Sequence, residues 1–399
     1  MAWKRLDADV TRGLAGWAGL ACIAVVALLG WVHFAQAGHT PAAAQAAPAR
    51  RPAPVTLPAG EARAWKAFPS YRGVVPVVMY HSIGGRPSYL TTSRIQFAQQ
   101  MRALKLGGFH TLTIAQYAAY VRGHEAGLPA RPILLTFDDG RQDAYLAANG
   151  ILRSYGFHAT DLAVPGWVTG HPGFSLSWDE IAQMSHGTTW NIESHFGYGP
   201  EKVQISKTGA TGARLGYLQY LPAVPGRPGH PGHPGHLETF ARFRKQFTGD
   251  ELWGIHQFQE HLPGFQPLAT AIPGSNYGQA GTNDPLIPPY VLSWLDRHFA
   301  VVFGGDYLNQ ASSRRPFQIP GRFSPRLSYR VSMGPGDTLQ VFRCRLLDFV
   351  RGVRIGRERR CLRPTPASGS GGRPSATPGA PSPAGARHRT RPAHTAGHS

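Results

Sequence analysis

The chain has 399 residues, 42% of them hydrophobic, so it can form one large domain or two modest ones with a real core. Its 48 glycines and 35 prolines predict long loops and tails. The net charge is +19, of which residues 351–399 contribute +9 (ten arginines and one glutamate). This tail has a disordered composition and favours anionic wall polymer or lipid as its partner. Nothing indicates a nucleic-acid-binding fold.

Residues 14–32 form an uncharged run of nineteen residues, long enough to span a bilayer. Three basic residues precede the run, so the positive-inside rule puts the N-terminus in the cytoplasm and the rest of the chain outside. A cleaved signal peptide is the alternative, because residues 35–37 (Ala-Gln-Ala) fit the cleavage pattern. We therefore expect a single-pass cell-membrane protein with an extracytoplasmic domain, or else a secreted protein.

Composition divides the chain into segments. They are the anchor or signal peptide (1–37), an Ala/Pro-rich linker (38–70), a folded domain (71–350) with an irregular insertion (200–236), and the basic tail (351–399). The insertion ends in a Gly-His-Pro repeat, which predicts an exposed loop that could collect a transition metal adventitiously. Cys344 and Cys361 could form a disulfide if this region lies outside the cytoplasm, or remain free thiols.

Strands and helices alternate within the domain, which indicates an α/β fold with a mainly parallel sheet. The predicted strands are 74–80, 132–135, 159–164, 189–192, 268–272, 300–303 and 327–331. The predicted helices are 94–107, 114–122, 143–155, one beginning at 178, 238–260, 289–298 and 338–349. Four of them have a suitable N-cap residue, namely Ser93, Thr113, Ser177 and Asp337.

Two adjacent carboxylates, Asp138 and Asp139, follow the apolar strand 132–135 and precede Gly140. At the end of a strand that twists into a turn, both can reach one cavity, the usual place for chemistry in α/β folds. One could bind a cation while the other moves protons, because a cation removes the like-charge penalty. A solvated Asp-Asp-Gly turn is the alternative.

The pentapeptide Thr136-Phe137-Asp138-Asp139-Gly140 resembles the first motif of the polysaccharide deacetylases. That resemblance implies a distorted, permuted (β/α) barrel of the deacetylase type. It also implies that Asp138 is the general base and that Asp139 binds a divalent metal, with zinc expected and cobalt or nickel also acceptable.

Three further segments resemble the same family, in the right order. Residues 79–83 (Met-Tyr-His-Ser-Ile) resemble the poly-N-acetylglucosamine deacetylase branch, which implies that His81 is the general acid. On chemistry alone, a structural hydrogen-bonding role for His81 is also open. Residues 271–278 align with the third motif, which implies that the Gly274 N–H forms the oxyanion hole. Asp306, in a Gly-Gly-Asp sequence, matches less well and is expected to be a turn residue.

Ser194-His195 matches the start of the metal motif, which implies that His195 is a ligand. A second histidine is expected four or five residues later, but Gly199 and Pro200 occupy those positions. A catalytic metal normally has about three protein ligands. Tyr198, Glu193, a histidine of the 230–236 loop or water could substitute.

Two hypotheses follow. The first is an exported, metal-dependent hydrolase that removes N-acetyl groups from a polysaccharide containing N-acetylglucosamine. The second is a degenerate protein with the same fold that binds cell-wall glycan without turnover. The missing ligand favours the second, whereas retention of Asp138, Asp139, His195 and His81 together favours the first.

Overall fold

The computed structural model describes residues 55–170, 173–228, 230–306 and 327–351. No helix in these ranges is long and apolar enough to span a membrane. The expected anchor (14–32), the cleavage site (35–37), Cys361 and the tail beyond 351 lie outside them.

The domain alternates strands with helices, as the sequence predicts. The helices are α1 (Ala59–Lys66), α2 (Arg94–Leu106), α3 (Ile114–Val121), α4 (Gln142–Tyr155), α5 (Pro165–Gly170), α6 (Trp178–His186), α7 (Phe240–His261), α8 (Ile287–His298) and α9 (Leu339–Val350). The strands are β1 (Val77–Tyr80), β2 (Ser82–Ile83), β3 (Thr91–Thr92), β4 (His110–Thr111), β5 (Pro132–Asp138), β6 (Ala159–Ala163), β7 (Trp190–Ser194), β8 (Lys202–Gln204), β9 (Thr211–Ala213), β10 (Tyr220–Leu221), β11 (His236–Leu237), β12 (Ala269–Ala271), β13 (Val301–Asp306) and β14 (Leu327–Ser332).

The main sheet closes on itself. Strands β1, β14, β13, β12, β7, β6 and β5 pair in that order, and β1 also pairs with β5, so that these seven parallel strands form a barrel. Strand β4 extends the sheet beside the first residues of β5. The predicted distorted (β/α) barrel is therefore confirmed, and its closure brings the carboxyl ends of the strands together at one face.

Two layers of apolar side chains hold the barrel. Inside it, Val77, Leu134, Leu162, Val301 and Phe303 are buried together. A second buried cluster joins the outer face of the strands to helices such as α2, α4 and α9. The inner layer also contains Tyr117 of α3, whose hydroxyl donates a hydrogen bond to Ser328 Oγ at 2.8 Å.

Helix α1 corrects the prediction that residues 38–70 are entirely linker. Its Trp65 is fully buried, with ring centroids 5.4 Å from Phe342 and 6.1 Å from Phe109. The linker prediction rests on the Ala/Pro-rich composition before Ala59 and reaches too far along the chain. One buried apolar side chain is enough to hold a short helix on the core.

The sequence predicts an irregular insertion at 200–236, but this segment contains two short antiparallel strand pairs, β8–β9 and β10–β11. The caps Ser93, Thr113 and Ser177 are confirmed, since each side chain accepts an N–H bond from the third helical residue. The cap of α9 is Thr338 rather than Asp337. Asp337 instead accepts hydrogen bonds from Gly334 N and from Arg345.

Candidate active site

The sequence-predicted site residues lie around one cleft of about 480 Å³ at the carboxyl ends of the barrel strands. His81 follows β1, Asp138 ends β5, and His195 follows β7. The lining side chains and backbone include those of His81, Asp138, Asp139, His195 and Gly274. The closed sheet thus brings together residues that are nearly 200 positions apart in the sequence.

Asp138 is held by an arginine that the motifs do not include. Arg330 of β14 donates from one guanidinium nitrogen to Asp138 Oδ1 at 2.6 Å and from the other to Oδ2 at 2.7 Å. Its Nε donates to the carbonyl oxygen of Gly304 at 2.8 Å. Both side chains are almost completely buried, so this is a desolvated, bidentate ion pair.

The pair determines the charge of Asp138. Burial alone would raise the pKa of its carboxyl group, but Arg330 and, to a lesser extent, His195 and His81 outweigh that effect and lower the pKa to about 2. Asp138 is therefore ionised at any pH at which the protein would work. Such a carboxylate accepts a proton only briefly, because its conjugate acid is strong.

His81 lies next to this carboxylate, with Nε2 3.9 Å from Asp138 Oδ2. Burial lowers the pKa of His81, against the opposing attraction of Asp138 and Asp139. The imidazole is thus neutral at neutral pH and able to take up a proton. Its Nδ1 is buried and has no hydrogen-bond partner among the described residues.

Asp139 and His195 face each other, with 3.6 Å between Asp139 Oδ1 and His195 Nε2. Asp139 reaches this position with a left-handed backbone, at φ 78°. Gly140 follows at φ 59°, and a Cβ there would lie 2.9 Å from the Ala163 methyl group. The turn after β5 therefore requires glycine at position 140 and a strained residue at 139.

The orientation of His195 fits a bound cation. Its Nδ1 lies 2.9 Å from the carbonyl oxygen of Ala271, which only a protonated Nδ1 can satisfy. In the neutral ring, Nε2 then carries a lone pair that faces the oxygens of Asp138 and Asp139. Converging lone pairs repel unless a cation or a proton lies between them, and a backbone-oriented histidine is typical of metal ligands.

Among the residues that the structure describes, no third protein ligand joins them. Within the described ranges, no three His, Cys, Asp or Glu side chains come together as a metal site. Of the suggested substitutes, Glu193 accepts hydrogen bonds from the backbone N–H groups of Leu268 and Ala269, both at 2.9 Å. Tyr198 stacks on Trp253. The residues fit a divalent ion with two protein ligands, Asp139 and His195, and the remaining positions open.

Gly274 lines the cleft in a tight turn, Pro273–Ser275, directly after β12. Its φ is 61°, a conformation that favours glycine. Asp306, expected in a turn, is the last residue of β13. The turn at Gly274 therefore adds a backbone segment to the wall of the cleft on the side of His195.

Arg330 is the site residue that the sequence analysis misses. It lies in β14 (Leu327–Ser332), for which the sequence predicts only a strand over residues 327–331. A signal was present, since an arginine inside a short buried strand of a barrel requires a buried anionic partner. The partner itself depends on β14 pairing with β1, which no local pattern reveals.

No protein-family model matches the chain. YxkH of Bacillus subtilis (strain 168), which carries the name of a polysaccharide deacetylase, is 34% identical over 122 residues, or 30% of this chain and 42% of YxkH. The chain thus spans less than half the length of that relative.

A de-N-acetylase from Aggregatibacter actinomycetemcomitans superposes with a TM-score of 0.51 at 16% identity, covering 67% of this chain and 98% of that one. The BpsB deacetylase domain from Bordetella bronchiseptica gives 0.50 at 17% identity, covering 66% and 97%. The predicted resemblance to the polysaccharide deacetylases is therefore confirmed, by similarity in sequence to YxkH and by the barrel fold shared with the solved deacetylases.

Proposed function

We propose that the chain is a divalent-metal-dependent hydrolase that removes N-acetyl groups from a polysaccharide containing N-acetylglucosamine. The observation that carries this proposal is the arrangement of two carboxylates and two imidazoles around one cleft. Asp138 lies 3.9 Å from both His81 and His195, and Asp139 lies 3.6 Å from His195. Amide hydrolysis needs a polarised carbonyl, a base and an acid, and these residues can supply each of them.

In this mechanism, Asp139 and His195 would hold the metal, with zinc as the expected ion. When bound there, a divalent ion polarises the acetamide carbonyl and makes a water molecule more acidic. Asp138 accepts a proton from the attacking water. Arg330 fixes the orientation of the Asp138 carboxylate and keeps it ionised beforehand.

The proton then has a defined route. Because the pKa of Asp138 is about 2, the carboxyl group loses the proton readily. The Nε2 of neutral His81, 3.9 Å from Asp138 Oδ2, is placed to take it and to protonate the leaving amine. A backbone N–H of the turn at Gly274 would stabilise the oxyanion. Acetate and a free glucosamine amine are the products.

The test is acetate release from N-acetylglucosamine oligomers by the full-length protein, after dialysis against a chelator and again after adding zinc, cobalt or nickel. We expect no release without metal and recovery with it. Asp139→Asn should lose both metal and activity, whereas Asp138→Asn should retain metal and lose roughly 10²–10⁴ in rate. A wild-type protein that binds no metal and releases no acetate with any of the ions refutes the proposal.

The second candidate is a glycan-binding protein without turnover. The absence of a third ligand from the described residues favours it, since about three are usual in a catalytic site. Binding of the oligomers without acetate release, with or without metal, is the result that would establish it.

We also propose that the domain functions outside the cytoplasm. The uncharged run 14–32 supports this, as does Cys344, which is disulfide-bonded, because disulfides persist in oxidising compartments. The basic tail would then meet anionic wall polymer or lipid. Cell fractionation with sequencing of the mature N-terminus is the test: a membrane-bound, uncleaved chain is expected, and a soluble species beginning at Gly38 would show secretion instead.

A further inference from the structure

A second cleft, of about 330 Å³, lies on the other side of the segment 198–201 from the catalytic one. It is lined by Tyr198, Glu201, Arg214, Gln246, Gly249, Asp250 and Trp253. Pro200 of the same segment lines the catalytic cleft. A volume of this size is at the lower end of the range for ligand sites, about 300–1,000 Å³.

Two aromatic rings form an open platform in this cleft. The rings of Tyr198 and Trp253 stack with 4.8 Å between their centroids and 2° between their planes. Tyr198 nevertheless remains 50% exposed, so part of its ring is open to a ligand. An exposed aromatic surface in a concave site indicates a partner with a flat apolar face.

The loop that carries Tyr198 packs closely against helix α7. The side chain and carbonyl oxygen of Asp250, on α7, lie directly against Gly197 of this loop. A Cβ at Gly197 would lie 2.6 Å from the carbonyl oxygen of Asp250 and 2.9 Å from the Trp253 ring, so only glycine permits this close approach. The loop therefore fixes Tyr198 against α7 before any ligand arrives.

Polar groups surround the rings. Arg214 and Glu201 form a partly exposed ion pair at 3.6 Å, and Gln246 adds an amide. Together they offer donors and acceptors of hydrogen bonds. The lining carries charges of both signs rather than a positive surface, so it suits an uncharged polar ligand and not a polyanion.

A sugar ring has these properties, with C–H groups on its flat face and hydroxyl groups around its rim. We propose that this second cleft binds another N-acetylglucosamine unit of the polysaccharide chain whose acetamide lies in the catalytic cleft. The inference rests on the proposed function for the choice of ligand. A polymer that passes over Pro200 and Tyr198 would occupy both clefts, and its length would then determine its affinity.

The test compares binding of two-unit and six-unit N-acetylglucosamine oligomers to the full-length protein by calorimetry. Wild type should bind the six-unit oligomer more tightly than the two-unit one. Trp253→Ala and Tyr198→Ala should weaken binding of the six-unit oligomer by roughly tenfold and leave the two-unit affinity unchanged. Arg214→Ala, at a partly exposed position, should weaken it severalfold and keeps the test valid if an aromatic variant fails to fold.

Tyr155→Ala is the matched control. This tyrosine is also only partly buried and has an aromatic neighbour, Phe157, with 5.8 Å between centroids, but it lies outside both clefts. It should bind both oligomers as wild type does. The proposal is overturned if folded variants of the second cleft keep wild-type affinity for the six-unit oligomer, or if wild type binds the two lengths equally or not at all.

An acetate-release assay on the same oligomers and variants, beside the calorimetry, separates this inference from the proposed function. Long-chain binding that depends on Trp253, without any acetate release, supports the second cleft and refutes the catalytic proposal. Acetate release from both lengths, with no effect of Trp253→Ala, does the reverse.

Discussion

Arg330 and Asp138 share two parallel hydrogen bonds although they are 192 residues apart in the sequence. The contact exists because β14 lies beside β1, and β1 lies beside β5. It is a property of barrel closure and not of any local motif. It also sets the protonation state of the expected base, since the pKa of Asp138 falls to about 2.

Replacing Arg330 with lysine should therefore change the pH dependence of catalysis. Lysine retains the charge but loses the bidentate geometry, so we expect kcat to fall by about 10- to 100-fold. The ionised form of Asp138 becomes less stable, which raises its pKa and moves the acid limb of the kcat/KM profile to higher pH. Pre-steady-state or initial-rate acetate assays between pH 3 and 8 measure this. An equal loss at every pH would mean that Arg330 has only a structural role.

The two positions of the missing histidine should behave differently when restored. Pro200 lines the catalytic cleft, so Pro200→His should tighten binding of a divalent ion, as measured by titration calorimetry. Gly199 has φ 71°, and a Cβ there would lie 3.0 Å from a methyl group of Val164. Gly199→His should therefore lower the melting temperature without improving affinity. Equal improvement by both variants would contradict this geometry.

Helix α1 should be part of the stable domain. Trp65→Ala removes a fully buried ring and should decrease the free energy of unfolding by about 3–5 kcal/mol. Leu146→Ala, at a position that is 62% exposed, is the control and should have little effect. Thermal or chemical denaturation compares the two. If the two variants are equally stable, residues 59–66 belong to the linker and not to the stable domain.

Asp250 should make stability depend on pH. Burial raises its pKa to about 6, against the opposing effect of Arg214. Because the folded-state pKa exceeds the unfolded one, the folded protein loses stability as pH rises from about 4 through 6. Asp250→Asn should then be more stable than wild type at pH 8, by about 1–3 kcal/mol, and similar at pH 4. Melting temperatures of wild type and Asp250→Asn at pH 4 and pH 8 test this prediction. An Asp250→Asn variant that is less stable than wild type at both pH values would contradict it.

Local patterns predicted much of the fold. Periodic apolar residues and short polar caps located the helices that begin after Ser93, Thr113 and Ser177, and each of those caps is confirmed. The motif at Asp138 was also found locally, because a buried strand followed by two acids and a glycine is unusual. The barrel then brought the expected residues to one cleft.

Other features depend on contacts between distant segments. Ile95 and Phe97 are both apolar residues of α2, yet Phe97 is fully buried and Ile95 is 70% exposed, because neighbouring helices, not periodicity alone, decide which face is covered. Arg330 was missed for the same reason. The second cleft depends on Tyr198 in a loop and on Trp253 of α7, more than fifty residues later, which are adjacent only in the folded chain.

The order of strands has a consequence during synthesis. As the chain leaves the ribosome, β1 and β5 can pair early, but one edge of β1 remains without its neighbour until residues 327–332 emerge. Until then the carboxylate of Asp138 has no guanidinium beside it, and its burial would be unfavourable. The nascent barrel thus lacks both its closing strand and the ion pair of the candidate site until residues 327–332 arrive. Completion of the candidate site and closure of the barrel become one event, late in translation and dependent on contacts of high sequence separation.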